Sequence, residues 1–312
     1  MRFAREPLIF RIFFSRHPSL QGLVERCWSR GLMGSPLRSP NDETRRSPLR
    51  SKWLWGALVG FAFSTGCGMP SLPGGNGDGS GAGPGKRAQD IGLTPDQELD
   101  AGRRAYKEVL TEYRNQILPG NRPEVKRVRD ITARIVKAAQ IRPLQKEINL
   151  HFDNSRYEWE VNVVDKDEVN AFCLPGGKIV VYTGILRIAA NDDEVAAVVA
   201  HEISHALAHH SAERVARDRT KGAGVLRNLS YQRMQESEAD HIGVFLMTFA
   251  GYDPQASVRF WEHMQQRQQQ GRMPEILSDH PSDATRAKQL AAWSENARKG
   301  KQAFDEGRVV KD

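Results

Sequence analysis

The sequence predicts an α+β domain that is mostly helical and carries one small β-sheet. Apolar residues recur at steps of three and four over several long stretches, the signature of helices with one buried face. Short β-branched runs cluster between residues 148 and 182, too few for more than a small sheet. No internal repeat is visible.

Charge divides the chain before any element is placed. The 312 residues carry 45 Lys and Arg against 38 Asp and Glu, a formal net charge of +7. Residues 1–66 hold eleven of the basic residues and four of the acids, which accounts for the whole excess and leaves 34 against 34. A nucleic-acid partner needs a basic patch on the folded domain, and the neutral body offers none. Cys27, Cys67 and Cys173 give neither a disulfide framework nor a CxxC zinc spacing.

In order along the chain, residues 1–66 are expected to be an N-terminal extension and export signal. Arg45, Arg46, Arg50 and Lys52 precede the fourteen-residue apolar run from Trp53 to Gly66, too short for a comfortable membrane span. The ending Ser64-Thr65-Gly66-Cys67 resembles a bacterial lipobox, which makes Cys67 the expected lipidation site. Residues 67–92, rich in Gly and Pro, then form a flexible tether. Residues 1–40 are Arg- and Ser-rich as organellar transit peptides are; the lipobox and the tether argue against that rival. Translation from Met33 would leave a signal of ordinary length.

The folded domain is expected over residues 93–292, followed by a polar tail over 293–312. Thr94-Pro95-Asp96-Gln97 supplies a helix N-cap with Pro at the first helical position, opening a helix to about Leu118. A second helix, Pro123 to Ala139, aligns Val125, Val128, Ile131, Ile135 and Ala139. Strands are expected at Ile148 to Phe152, Trp159 to Val164 and Lys178 to Tyr182, with a turn at Pro175-Gly176-Gly177. Later helices are expected from Asn191 to Asp218, Tyr231 to Ala250 and Pro254 to Gln270. Asn191 and Glu194 have the spacing of a capping box.

The helix from Asn191 carries HExxH as His201-Glu202-Ile203-Ser204-His205. Histidines four apart stand about 40° from each other around the axis, so both imidazoles can hold one ion. Glu202 lies about 100° further round, within reach of a water on that ion. The rival is a helix that happens to carry histidines. A catalytic zinc wants a third protein ligand and one open position. Ala208 and Ser211 exclude the HExxHxxGxxH solution, because they stand where its glycine and final histidine belong. A later carboxylate is the other solution, and Gln235 to Gly243 (QESEADHIG) offers candidates, among them Glu236 and Asp240 on one helix face. Asp240 can accept the N–H of a ligand histidine.

These motifs, with NAFCLPGGKIVVYTGIL (Asn170 to Leu186), GYDP (Gly251 to Pro254) and DHPSDATR (Asp279 to Arg286), occur in the order found in membrane-associated gluzincins. The chain resembles the CAAX prenyl proteases, the heat-shock protease HtpX and the periplasmic BepA-like chaperone-proteases, over about Leu93 to Leu290. It is most similar to the lipid-anchored bacterial branch. The resemblance implies a zincin-like metalloprotease fold with one Zn2+ per chain, held by His201, His205 and Glu236. It makes Glu202 the catalytic base and Glu238 a bystander. It places His280 and Arg286 near the metal as oxyanion stabilisers, with His280 able to occupy the open position at rest. His210 would support a ligand histidine from behind, and His209 would be exposed. Asn170 and Ala171 would begin an edge strand that binds extended substrates. The implied function is a membrane-anchored endopeptidase for unfolded or misassembled envelope proteins, lipid-anchored in the bacterial outer membrane facing the periplasm, with the envelope assembly machinery as a partner. A chaperone-like zinc lipoprotein with little proteolysis and a cell-wall amide hydrolase are the alternatives.

Overall fold

A computed structural model describes residues 88–219, 225–271, 274–280 and 285–308. Cys67, the segment expected over 1–66 and all but the last five residues of the tether expected over 67–92 lie outside the described residues. Helix α1 (Pro95–Glu112) opens on a capping box in which Thr94 accepts from the Gln97 N–H and Gln97 accepts from the Thr94 N–H. It ends at Glu112, short of the expected Leu118, because residues 116–118 turn to bond the outer edge of a strand: Leu118 N–H donates to Val163 and Asp165 N–H to Gln116.

Helix α2 (Pro123–Ala139) buries the expected stripe, and the short α3 (Arg142–Glu147) follows it. The expected strand at Ile148 to Phe152 is instead the exit of α3. Asn149 takes a left-handed φ of 49°, and Leu150 N–H bonds back to the Gln145 carbonyl, five residues earlier. Ile148 and Leu150 are buried through this turn, which mimics strand alternation in the sequence.

Strands β1 (Glu160–Val164), β2 (Ala171–Leu174) and β3 (Lys178–Tyr182) form a sheet of order β1-β3-β2. Central β3 runs parallel to β1 and antiparallel to β2. Residues 116–118 cover the outer side of β1, so β2 is the remaining edge. Tyr182 N–H bonds the Asn170 carbonyl and Gly177 N–H bonds the Leu174 carbonyl. By the alternation of antiparallel ladders, the backbone N–H and C=O of Cys173 point away from β3.

Helix α4 (Thr183–Ile188) leads to α5 (Asp192–Leu207), whose 16 residues are nearly all buried. Its Ala and Val content allows close packing on every side, against α2, β2, α7 (Val225–Phe249) and α8 (Gln255–Gln269). Asn191 caps α5 by accepting from the Glu194 N–H, while the Glu194 carboxylate reaches one residue further, to the Ala190 N–H. Gly243 on α7 is a point of closest approach: a Cβ there would stand 3.1 Å from the His201 backbone nitrogen.

The single helix expected over 191–218 is broken. His209 adopts φ 53°, a conformation that costs roughly 1–2 kcal/mol for a residue with a Cβ, and α6 (His210–Arg219) starts in a new direction. Its Nδ1, 2.6 Å from Glu98 Oε2 on α1, is one contact that offsets the cost. His209 is therefore half-buried and paired rather than exposed and incidental. The short α9 (Glu275–Asp279) and α10 (Arg286–Asp305) complete the described chain. Helix α10 packs on α7 and α8 and buries Ser294 and Ala297, so the boundary expected at 292 falls inside a packed helix. Among the described residues, no helix is long and apolar enough to cross a membrane.

α1 crosses the β2–β3 turn at Gly102, where a Cβ would come within 1.8 Å of the Pro175 carbonyl oxygen. Gly102→Ala is expected to lower stability by about 1–3 kcal/mol in urea titration, through overpacking. Unchanged stability would show that α1 does not rest on this turn.

Candidate metal centre

Three elements converge on one buried cluster. α5 supplies His201 and His205, α7 supplies Glu236, and the residue capping α9 supplies His280. One ligand atom from each of the four lies within 4.8 Å of the others. His201 Nε2 is 3.2 Å from Glu236 Oε2, 3.1 Å from His205 Nε2 and 3.2 Å from His280 Nδ1. His205 Nε2 is 3.5 Å from Glu236 Oε1. Three imidazole nitrogens and a carboxylate in this spacing match the nitrogen and oxygen donors that zinc takes in a tetrahedral site. The site fits the ion: these groups could hold one, and few other arrangements bury so many lone pairs facing one another.

Glu202, next along α5 from His201, is buried, and its Oε1 has no aligned hydrogen bond among the described residues. The nearest charged partner is His280 Nε2, 3.3 Å away. A buried carboxylate oxygen left open at the edge of a metal cluster can accept a proton from a water placed there.

Behind the cluster, Asp240 Oδ1 stands 2.9 Å from His201 Nδ1. Arg286 grips the same carboxylate with two bonds of 2.7 Å, from Nε and Nη2, and its Nη1 donates to the His280 carbonyl at 3.4 Å. The guanidinium lies 3.5 Å above the Trp261 ring, which in turn meets His201 edge-on with 5.7 Å between centroids. Arg286 was expected to face the reacting oxyanion. Its donors are instead turned to Asp240 and to the backbone of His280, so it positions His201 through Asp240.

His210, fully buried, places Nδ1 2.7 Å from His205 Nδ1 and Nε2 3.1 Å from Glu238 Oε2. Residues five apart stand about 140° apart on a continuous helix, so this contact depends on the break at His209. Glu238 is accordingly no bystander. Asn170, expected to meet substrate, is buried. Its Nδ2 donates to Asp279 Oδ2 at 2.9 Å and its Oδ1 accepts the Ala171 N–H at 2.8 Å. Asn170 thus ties β2 to α9 and His280, and the outward edge groups belong to Cys173 and the Ala171 carbonyl.

Burial disfavours charge throughout the cluster, and the partners decide which groups keep it. For His201, burial is outweighed by Asp240 and Glu236, and its pKa rises to about 9. For His205, burial prevails and the pKa falls to about 3. Glu236 is buried as well, yet the surrounding histidines, His280 first, hold it well below the usual carboxylate range. Burial of Asp240 is likewise outweighed by Arg286 and His201, which lower its pKa.

The helix-borne HExxH, a carboxylate from a second helix and an open base beside them define a zinc metallopeptidase. Comparison with known proteins agrees: the sequence profile of Peptidase family M48 matches residues 130–223 and 219–294. The chain belongs to Peptidase family M48, whose members use zinc, and is a metalloendopeptidase of the gluzincin type. It is 32% identical over 241 residues to the mitochondrial metalloendopeptidase OMA1 of Schizosaccharomyces pombe, covering 70% of this chain and 67% of that protein. It is 38% identical over 169 residues to OMA1 of Arabidopsis thaliana, covering 47% of this chain and 34% of that protein. It is 29% identical over 168 residues to the β-barrel assembly-enhancing protease of Escherichia coli, covering 44% of this chain and 34% of that protein.

These relatives overturn one expectation. Mitochondrial names among them, from yeasts, plant and animals, contradict the placement as a lipid-anchored protein of the bacterial outer membrane. Arg- and Ser-rich leaders are common to several targeting routes, so composition alone could not separate them. Of the groups that the motifs resemble, the BepA-like one is represented here, and OMA1 is a branch the motifs had not suggested.

With a pKa of about 9, His201 is protonated at pH 7 in the metal-free protein, so an ion must displace a proton to reach Nε2. Zinc binding at pH 7 is expected to release at least about one proton per ion. Calorimetry in buffers of different ionisation enthalpy measures this, and a buffer-independent enthalpy would contradict it.

Proposed function

We propose that the chain is a zinc endopeptidase for unfolded or misassembled polypeptides, with His201, His205 and Glu236 as the protein ligands. One observation carries the reading: the buried His-His-Glu set lies where α5 packs on β2, the strand whose outer edge is unpaired among the described residues. An extended substrate added to that edge would bond the outward groups of Cys173 and the Ala171 carbonyl. Such pairing reads backbone rather than side chains, which suits substrates defined by lack of structure. The mitochondrial setting in OMA1's name supports a mitochondrial location for this chain. The transit-peptide reading of residues 1–40 is compatible with it.

Zinc, when bound, supplies a Lewis acid that lowers the pKa of water and polarises the scissile carbonyl. Glu202 takes the proton of the attacking water and delivers it to the leaving amine nitrogen. Asp240, clamped by Arg286, keeps His201 oriented with Nε2 toward the ligand cluster. Glu202→Gln is expected to keep zinc and fold while lowering peptide cleavage by at least about 100-fold. Full casein cleavage by that variant, with zinc content measured alongside, would sink the mechanism.

His280 occupies a donor place in the cluster, with Nδ1 2.9 Å from Glu236 Oε2. This favours a resting state in which His280 fills the position that substrate and water need. On that reading, His280→Ala raises the initial rate on an unstructured peptide several-fold. A fall of about 100-fold would assign His280 to the oxyanion instead.

A further inference from the structure

The two ligand histidines are oriented by different means. His201 faces a carboxylate directly, whereas His205 Nδ1 faces another imidazole, His210, at 2.7 Å. Two bare nitrogens cannot bond each other, so one ring must donate to the other. The next contact decides which. His210 Nε2 lies 3.1 Å from Glu238 Oε2, and an ionised carboxylate only accepts. His210 therefore carries a proton on Nε2, and in the neutral ring this leaves Nδ1 bare. That bare nitrogen accepts the Nδ1 proton of His205, and His205 Nε2 is left with its lone pair in the cluster, 3.1 Å from His201 Nε2.

We infer that Glu238, acting through His210, is a positioning residue that fixes His205 in the Nδ1-protonated tautomer required of a metal ligand. Nothing else in the Glu236–Asp240 turn fills this place. Glu236 joins the cluster and Asp240 backs His201, while Glu238 points to the other side of α7, where the broken helix brings α6. Without the carboxylate, His210 is free to carry its proton on Nδ1 and donate to His205, which would shift the His205 proton to Nε2 and block the donor atom. The inference rests on His205 being a ligand, as proposed above.

The test uses the purified full chain. Long-range 1H–15N spectra of the metal-free protein read the His205 tautomer, and competition with a chromophoric chelator reads zinc affinity. The wild type is expected to show His205 protonated at Nδ1. Glu238→Gln is expected to populate the Nε2-protonated form and weaken zinc about 10- to 100-fold, with unchanged far-UV circular dichroism. Glu238→Asp should restore much of the affinity. His210→Gln should weaken zinc similarly, and the double variant should add little, because both act in one chain. Zinc affinity unchanged within about twofold in Glu238→Gln, or His205 protonated at Nε2 in the wild type, would overturn the relay. The wild-type spectrum decides even if a variant fails to fold. The ligand assignment fails separately, if His205→Ala binds zinc as the wild type does.

Discussion

Burying ionisable groups away from bulk solvent is the constraint around which this domain is built. His201, Glu202, His205, His210, Glu236, Glu238, Asp240, His280 and Arg286 are all less than a tenth exposed. An unpaired charge in such a place costs several kcal/mol, so most of them need a partner of opposite sign or a hydrogen bond. The packing meets that demand in layers. The ligand atoms face one another, Asp240 and His210 stand behind the histidines, and Arg286 and Glu238 bond these in turn. The close contact of α5 and α7 at Gly243 sets the spacing of the whole arrangement. Glu202 Oε1 has no aligned partner among the described residues, and it is the atom that the chemistry needs uncommitted.

Much of this was legible in the sequence for reasons that are local. The four-residue spacing of His201 and His205 fixes their common face on a helix, and the capping signals at Thr94 and Asn191 act within one turn. Those features depend on neighbours along the chain, so reading them needs no tertiary knowledge. Carboxylates on a later helix could be recognised as candidate ligands, and the order of motifs singled out Glu236.

The rest depended on contacts between distant residues. The break at His209 has no glycine or proline to announce it, because the left-handed turn is offset by Glu98, more than a hundred residues earlier. Ile148 and Leu150 alternate as a strand would, yet a helix exit buries them equally well. Arg286 reads as a cation near a catalytic centre, and only the folded structure turns it toward Asp240 and Trp261. Trp261 carried no local signal at all, since its role is to lie flat beneath that guanidinium. The cellular setting was misread for a different reason: leader composition reports charge and hydropathy, which separate targeting routes poorly.

The long reach of the Arg286–Asp240–His201 chain has a consequence for biosynthesis. Arg286 follows His201 by 85 residues, so the histidine helix emerges from the ribosome well before the arginine that steadies it. A nascent chain can make α5 and bury its apolar faces, but the polar network behind the ligands stays incomplete until α10 has been translated and docked. Assembly of the network is thereby tied to the translation of α10, because a nascent chain shorter than Arg286 lacks the cation that holds Asp240 behind His201.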